Sequence, residues 1–300
     1  MKEVAIIVVT YNRKQMLKEC LDRLLCQTYK NFDIYVVDNA STDGTEAYIA
    51  DYIALECVSY RNTGKNLGGA GGFHFGIKQV ANGGYGYIWL MDDDTFVDAE
   101  ALEQLMKVDV ILNGQYGFLA SSVLWKDNSA CVMNRQKLSV PWYSALRYLG
   151  NGILPIYMST FVSFFVKIEV VRKVGLPIKE FFIWGDDVEY SQRIAKQYPC
   201  YLAGKSIVHH MTINNEGSNI AKDSEDRIRR YEFAYRNEVY IAKQNGIKGI
   251  VYQLAKIVLH CGRVIVSGKN GKMKKIVIIL KNSVKGIFFN PKVEYIEEVK

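Results

Sequence analysis

Proline is scarce in this chain of 300 residues, five against 24 glycines, so nothing in it reads as a stiff proline-rich linker. No two cysteines have the CxxC spacing. The six stand apart at 20, 26, 57, 131, 200 and 261, and isolated cysteines in apolar settings read as reduced core residues, not as a zinc site or a disulfide framework. No uninterrupted apolar run approaches the ~20 residues that cross a bilayer. The short apolar run near the start lacks a small-residue cleavage site and reads as a buried strand, not a signal peptide. G-x-x-x-x-G-K-S/T, H-E-x-x-H and G-x-S-x-G are all missing, so the common phosphate-loop, zinc-protease and serine-hydrolase signatures do not apply. These absences predict a globular cytosolic chain, on or off a membrane surface.

What is present is unevenly charged. The net charge is +7, yet residues 243–300 hold twelve Lys/Arg against three Glu, while residues 1–242 hold 26 basic and 28 acidic residues. Residues 243–290 carry ten basic side chains and no acid. A basic block on a near-neutral body points to an anionic partner. It lacks an aromatic stacking platform and the body lacks a basic groove, so membrane is favoured over nucleic acid.

The first half alternates between strand and helix patterns. Strands are expected at 4–9, 32–38, 56–60 and 86–91, helices at 14–26, 46–55 and 73–81, and a glycine-rich loop at 66–72. This order predicts an α/β fold with a mostly parallel sheet and flanking helices. Ligands bind such sheets at the carboxyl ends of the strands, where Thr10, Asp38, the loop after 60 and Asp92 fall. Further on, strands are expected at 116–124, 156–167 and 201–210, a helix at 186–197 and a loop at 211–224. Helical patterns fill 225–245, and basic amphipathic helices are expected at 247–266 and 272–289. The domain expectation is 1–224 for binding and chemistry and 225–300 for a basic helical segment, a candidate membrane dock. Truncation after 245 is expected to leave the site in place.

Three adjacent carboxylates, Asp92, Asp93 and Asp94, follow an apolar strand. A divalent cation bridging to phosphate would relieve their repulsion. In an extended turn Asp92 and Asp94 share a face and Asp93 points away. The alternative is an acidic turn capping a helix at 98–109. A second cluster, Gly185-Asp186-Asp187, opens a helix beside Trp184. The macrodipole explains one such acid as a cap; a general base toward a hydroxyl explains the other, with Trp184 able to stack on a sugar ring. His209 and His210 close a strand, and one of them is a candidate ligand beside Asp94. The run NLGGAGG at 66–72 does not spell G-x-G-x-x-G, so a dehydrogenase is disfavoured. Its glycines still suit close backbone approach to a ligand and N–H groups aimed at phosphate, or else a tight turn.

Together VVTYNR at 8–13, VVDNASTDGT at 36–45, NLGGAGG at 66–72, WLMDDD at 89–94 and WGDDVEYSQR at 184–193 resemble an inverting family 2 glycosyltransferase of GT-A fold. The resemblance covers roughly residues 1–212 and is greatest to bacterial galactofuranosyltransferases. It implies that Thr10, Tyr11 and Arg13 line a nucleotide pocket, that Asp38 meets the uracil, and that Asn66 with Gly68 and Gly69 lies against ribose and diphosphate. It implies Asp92 and Asp93 at the nucleotide sugar, Asp92, Asp94 and His210 on Mn2+ or Mg2+, and Asp187 as base with Asp186 and Trp184 beside the acceptor. The implied donor is UDP-galactofuranose and the implied acceptor a lipid-linked or surface glycan, met at the inner face of the cell membrane. The long N-terminal domain of galactofuranan polymerases is missing, which argues against polymerisation. The alternatives are a rhamnosyltransferase using dTDP-rhamnose and, in other classes, a non-catalytic nucleotide-sugar-binding protein, a nucleotidyltransferase or a nucleic-acid-binding protein.

Overall fold

Every residue of Val4–Thr10 is buried, the pattern of a strand covered on both faces. In the computed structural model, which describes residues 2–267 and 271–296, this strand is β1. It pairs in parallel with β2 (Phe32–Asp38) and β4 (Tyr87–Asp92), and β2 pairs in parallel with β3 (Val58–Asn62). Helices α1 (Lys14–Leu25), α2 (Thr45–Tyr48), α3 (Ala50–Ile53) and α4 (Gly68–Val80) make the crossovers. The chain continues through β5 (Thr95–Val97), α5 (Ala101–Ile111), β6 (Phe118–Trp125), β7 (Lys137–Leu138), α6 (Trp142–Leu149), β8 (Ile153–Met158), β9 (Phe164–Lys167), α7 (Ile168–Val174), α8 (Asp186–Ala195) and β10 (Cys200–His210). The sheet order is β3-β2-β1-β4-β9-β6-β10-β8-β7, with β5 beside β10. β10 is parallel to β6, while β9 runs antiparallel to both β4 and β6.

Alternation along β1 divides the core. Val4, Ile6 and Val8 pack with Leu17, Leu21 and Leu24 of α1 and Leu102 and Leu105 of α5. Ala5, Ile7 and Val9 pack on the other face with Phe73 and Ile77 of α4, Val171 of α7 and Tyr190 of α8. The sheet is thus covered on both faces, as the alternation of elements predicts.

Several elements differ from the sequence expectations. The glycine run is the start of α4 and not a loop. A Cβ on Gly72 would stand 2.6 Å from Val9 Cγ1, and one on Gly76 would stand 2.7 Å from Ile7 Cγ2, so these glycines let the helix lie close on β1. The apolar stretch 156–167 is two strands, because Ser163 adopts φ 67 and breaks the extended path. The helical pattern at 46–55 divides at Ile49. Helix α5 starts at Ala101 with β5 before it, so the aspartate triplet does not cap it.

After β10 come α9 (Glu225–Ile228), α10 (Arg230–Gln244), α11 (Gly246–Ser267) and α12 (Lys272–Phe288). Residues 268–270 and 297–300 of the expected 225–300 segment lie outside the described residues. Both long helices expose much of their apolar face. In α11 only Gln253 and Val264 are buried, while Ile250, Val251, Leu254, Val258 and Ile265 are exposed. In α12 the inward face holds Lys275, Asn282, Ser283 and Gly286 with Ile278 and Ile279, and Met273, Val277, Leu280, Val284, Ile287 and Phe288 face outward. Although no uninterrupted apolar run is present, α11 is long and apolar enough to cross a membrane by length and composition. Its Lys256 pairs with Glu238 of α10 at 2.7 Å and its His260 Nδ1 lies 2.8 Å from the Tyr235 hydroxyl, which keep it lying along α10.

The segment after α12 returns to the body. Leu176 N–H donates to the Glu294 carbonyl at 2.8 Å, and the Glu294 carboxylate meets Lys179 at 2.8 Å and His74 at 3.1 Å. A cut after 245 would therefore remove packing partners of α4, of the segment after α7 and of α10.

Candidate active site

The register of β1 against its neighbours assembles the site. Val9 lies opposite Asp92, and Thr10 opposite Asp38. Past β4, Asp93 N–H still donates to the Val9 carbonyl at 3.2 Å, which holds the triplet against the end of β1. The short β5 then runs antiparallel to β10, setting Thr95 opposite His210, and Met211 N–H donates to the Asp94 carbonyl at 2.9 Å. That pairing brings His210 to Asp94. His209, on the other face of β10, pairs instead with Asp98 at 3.2 Å.

His210 Nε2 lies 3.2 Å from Asp94 Oδ1, yet Asp94 Oδ1 is buried without a hydrogen-bond partner. The other ring nitrogen, Nδ1, donates to Asn134 Oδ1 at 2.7 Å, and the Asn134 amide donates to Thr160 Oγ1 at 2.8 Å. The Asn134 amide is thereby fixed with its oxygen toward the ring, and Nε2 is turned to the carboxylate. A histidine that donates its far N–H to a carbonyl and points its other nitrogen at a carboxylate oxygen has the arrangement of a metal ligand. Oxygen and imidazole nitrogen suit Mn2+, and oxygen alone suits Mg2+. Among the described residues no group of three His, Cys, Asp or Glu converges on one point, so a cation here would draw its other ligands from the donor and water. Burial alone would lower the His210 pKa; contact with Asp94 and Cys131 overrides it and raises it to about 10. A divalent cation would take the place of that proton.

The repulsion within the triplet is also relieved by protein. Asp93 accepts from Thr10 Oγ1 at 2.7 Å and from Arg13 at 3.2 Å, and Arg13 reaches Asp94 Oδ2 at 2.5 Å. Residues 93 and 94 form a turn between β4 and β5, and Asp93, sharing Arg13 Nη1 with Asp94, ties the end of β4 to the loop after β1. Burial followed by the Asp94 charge pushes Asp93 up to about 7. In Asp94, burial opposes the charge, but His210 and Arg13 win and hold it low. Asp92 is raised by burial and then by Asp94. Its charge is felt by His210 and also by Asp186.

Asp186 and Asp187 open α8 behind Gly185, which has φ 90. Asp187 Oδ1 accepts from the Val188 N–H at 2.7 Å. Burial pushes Asp187 up to about 6, against the pull of these amides, and burial with the neighbouring Asp187 charge raises Asp186 further. Trp184 packs edge-on to Tyr231 of α10 at 5.0 Å between ring centroids, so its indole is partly taken up by the C-terminal helices.

The remaining expected residues stand at the ends of β1 and β2 and at the start of α4. Asp38 is 1% exposed; it accepts from Ser41 N–H at 2.8 Å and from the Tyr60 hydroxyl at 2.6 Å. Asn66 accepts from Gly68 N–H at 2.8 Å. Gly68, at φ 71, passes against the Phe182 carbonyl, and Gly69 meets nothing within 4 Å. Tyr11 is exposed beside Asn12, which accepts from Thr42 N–H at 2.7 Å. A cavity of about 640 Å³ between α1, β5 and β10 lies away from these carboxylates, lined by Asp22, Asp98 and Lys205 among others. Sequence reasoning missed Asn134, Thr160 and Tyr60, which no local pattern marks.

Residues 5–169, more than half of the chain, match the family described as Glycosyl transferase family 2. The chain belongs to glycosyl transferase family 2. The matched segment includes Thr10, Asp38 and the aspartate triplet; Asp186, Asp187 and His210 follow it. The family 2 chain is 27% identical over 265 residues to galactofuranosyltransferase GlfT1 of Mycobacterium tuberculosis, covering 84% of this chain and 86% of that protein. It is 26% identical over 276 residues to GlfT1 of Mycolicibacterium smegmatis, covering 83% and 86%. Among solved structures, S. aureus TarS 1-349 superposes with a TM-score of 0.63 at 14% identity, over 95% of this chain and 81% of that one. GalNAc-T7 with UDP, GalNAc and Mn2+ superposes at 0.67 and 15%, over 92% and 54%. At these identities the structural likeness establishes the fold, which is GT-A. The expected family and fold class are thereby borne out.

Proposed function

We propose that this glycosyltransferase moves galactofuranose from UDP-galactofuranose to a hydroxyl of a glycan or glycolipid at an anionic membrane surface, with inversion at the anomeric carbon. The observation that supports this reading is the Asp94–His210 pair at the carboxyl end of the sheet, Oδ1 to Nε2 at 3.2 Å, in a chain whose α8 opens with Asp187, its carboxyl raised to about 6 by burial. The similarity to GlfT1 over most of both chains supports the donor.

Asp187 takes the proton from the acceptor hydroxyl. The hydroxyl oxygen attacks the anomeric carbon from the face opposite the nucleotide, the carbon–oxygen bond to the diphosphate breaks, and UDP leaves with that bonding pair. Asp94 and His210, with Asp92 near them, would hold Mn2+ or Mg2+, which supplies positive charge to the departing diphosphate. Arg13 adds a fixed positive charge at the same place. Asp186, whose carboxyl is pushed well above its usual range by burial and by the Asp187 charge, stands beside Asp187 on the acceptor side. Thr10, Tyr11, Asp38, Asn66, Gly68, Gly69 and Asp93 form the nucleotide side, and Trp184 borders the acceptor.

The membrane surface is supported by the outward apolar faces of α11 and α12. Lys274, Lys281 and Lys285 flank the face of α12, and Lys248 and Arg263 that of α11, all exposed. An interfacial helix has this form, apolar side chains toward lipid and cations beside them. Such a dock places the enzyme at the inner face of the cell membrane, where a lipid-linked acceptor is met.

A donor screen that reads nucleotide release with and without glycan acceptors tests the reading. Acceptor-dependent UDP release from UDP-galactofuranose supports it. Turnover of dTDP-rhamnose alone moves the enzyme to rhamnosyl transfer, and tight UDP binding without turnover of any donor makes the chain a binding protein.

A further inference from the structure

The turn that delivers Asp186 and Asp187 is bent against its own preferences. Phe182 sits at φ 63 and ψ −60, and Ile183 N–H donates to the Phe181 carbonyl at 2.7 Å. This is a γ-turn of the rare, strained hand. Two residues on, Trp184 is left-handed at φ 64. Non-glycine residues in such conformations persist only where their surroundings over-determine them, and they gather at functional sites.

One side chain supplies that constraint. Asn237, at the middle of α10, is fully buried. Its amide nitrogen lies 3.0 Å from the Phe181 carbonyl, 2.8 Å from the Trp184 carbonyl and 3.3 Å from the Ile183 carbonyl. Its own oxygen accepts from Arg236 Nε and Nη2 at 3.0 and 2.9 Å, which fixes which way the amide faces. Arg236 Nη2 also donates to the carbonyls of Glu180 at 2.6 Å and Phe181 at 3.3 Å. On the opposite side of the turn, Ala70 N–H donates to the Phe182 carbonyl at 3.2 Å. The turn's backbone is thus gripped from α10 and from the start of α4, while its rings pack on α10, Phe182 on Phe233 at 4.7 Å and Trp184 on Tyr231 at 5.0 Å between centroids.

We propose that Asn237 is a positioning residue for the catalytic base: it holds the strained 181–184 turn and, through it, the start of α8 on which Asp187 approaches the acceptor. The proposal rests on the reading of Asp187 as base. It also gives the C-terminal helices a part in the chemistry, because α10 packs against both α11 and α12.

The test compares Asn237→Ala, the isosteric Asn237→Asp, which lacks the amide donors, and Asp187→Asn in the full-length enzyme, with thermal unfolding as the fold check. Asn237→Ala and Asn237→Asp are expected to lower kcat about 10²-fold, the loss that a misplacement of about 1 Å brings. The dissociation constant for UDP and the KM for donor should stay as in the wild type, and the acid limb of the kcat profile should move down as water enters around Asp187. Wild-type kcat in a folded Asn237→Asp, or UDP affinity falling in proportion to kcat, would overturn the proposal. An active Asp187→Asn enzyme would instead overturn the base reading itself. Should neither Asn237 variant fold, the half-buried Arg236 decides: Arg236→Met releases the Asn237 amide, and kcat unchanged in that variant would equally overturn the proposal.

Discussion

Asp94 Oδ1 faces His210 Nε2 at 3.2 Å, and the carboxylate oxygen has no hydrogen bond although it is buried. Asn134 fixes the imidazole in this orientation, and although burial would lower the His210 pKa, contact with Asp94 and Cys131 raises it to about 10. The proposed divalent cation would use both atoms as ligands.

That account predicts the response to metal. Chelation with EDTA should silence turnover, and Mn2+ should restore it. Asp94→Ala and His210→Ala should each raise the Mn2+ concentration needed for half activity by more than tenfold, in the range of about 10–100-fold typical of ligand-shell losses. Asn134→Ala, which frees the ring, should do so to a smaller degree. Turnover that survives EDTA unchanged would leave the triplet to Arg13 and Thr10 alone.

The pH profile follows from Asp187. Its pKa is raised to about 6 by burial, and the base must be unprotonated to accept a proton. Activity should therefore rise with pH through about 6 and level above it, with a tenfold fall per pH unit on the acid side. A profile flat from pH 5 to 7 would contradict this assignment.

The glycines of α4 divide into two kinds. Gly72→Ala would push a Cβ against Val9, with 2.6 Å between them, and overpacking of this sort costs about 1–3 kcal/mol; a lower melting temperature checks it. Gly69→Ala meets nothing within 4 Å and should gain up to about 1 kcal/mol of helix preference. If Gly69 borders the diphosphate, the same variant should bind UDP more weakly while melting no lower.

The outward faces of α11 and α12 predict vesicle binding. The wild type should sediment with phosphatidylglycerol vesicles in a salt-sensitive way and hardly with neutral ones. Leu254→Asn, Val258→Asn, Leu280→Asn and Val284→Asn together should abolish this binding, yet each should shift stability by no more than about 0.5 kcal/mol because all four are exposed. Undiminished sedimentation of the fourfold variant would remove the dock.

Much of this was legible because strand ends are written locally. An apolar run followed by Asp38 or by Asp92–Asp94 fixes where a carboxylate leaves a sheet. The period of α11 likewise reveals a stripe through Ile250, Leu254, Val258 and Ile265, but periodicity does not say which side meets the protein, and the stripe faces outward. Ser163 shows another limit: a left-handed residue inside an apolar run leaves no compositional mark. Asn134 and Asn237 were invisible for a different reason. Each closes a hydrogen bond to a residue more than fifty positions away, and an asparagine on a helix or loop has no pattern of its own.

The most direct test of the central claim is single-turnover transfer by Asp187→Asn with UDP-galactofuranose and a glycan acceptor, alongside binding of UDP. The neutral amide cannot accept the hydroxyl proton, so transfer should fall by about 10²–10⁴-fold while UDP affinity is retained. Transfer within a factor of a few of the wild type would contradict the account and remove Asp187 from the chemistry.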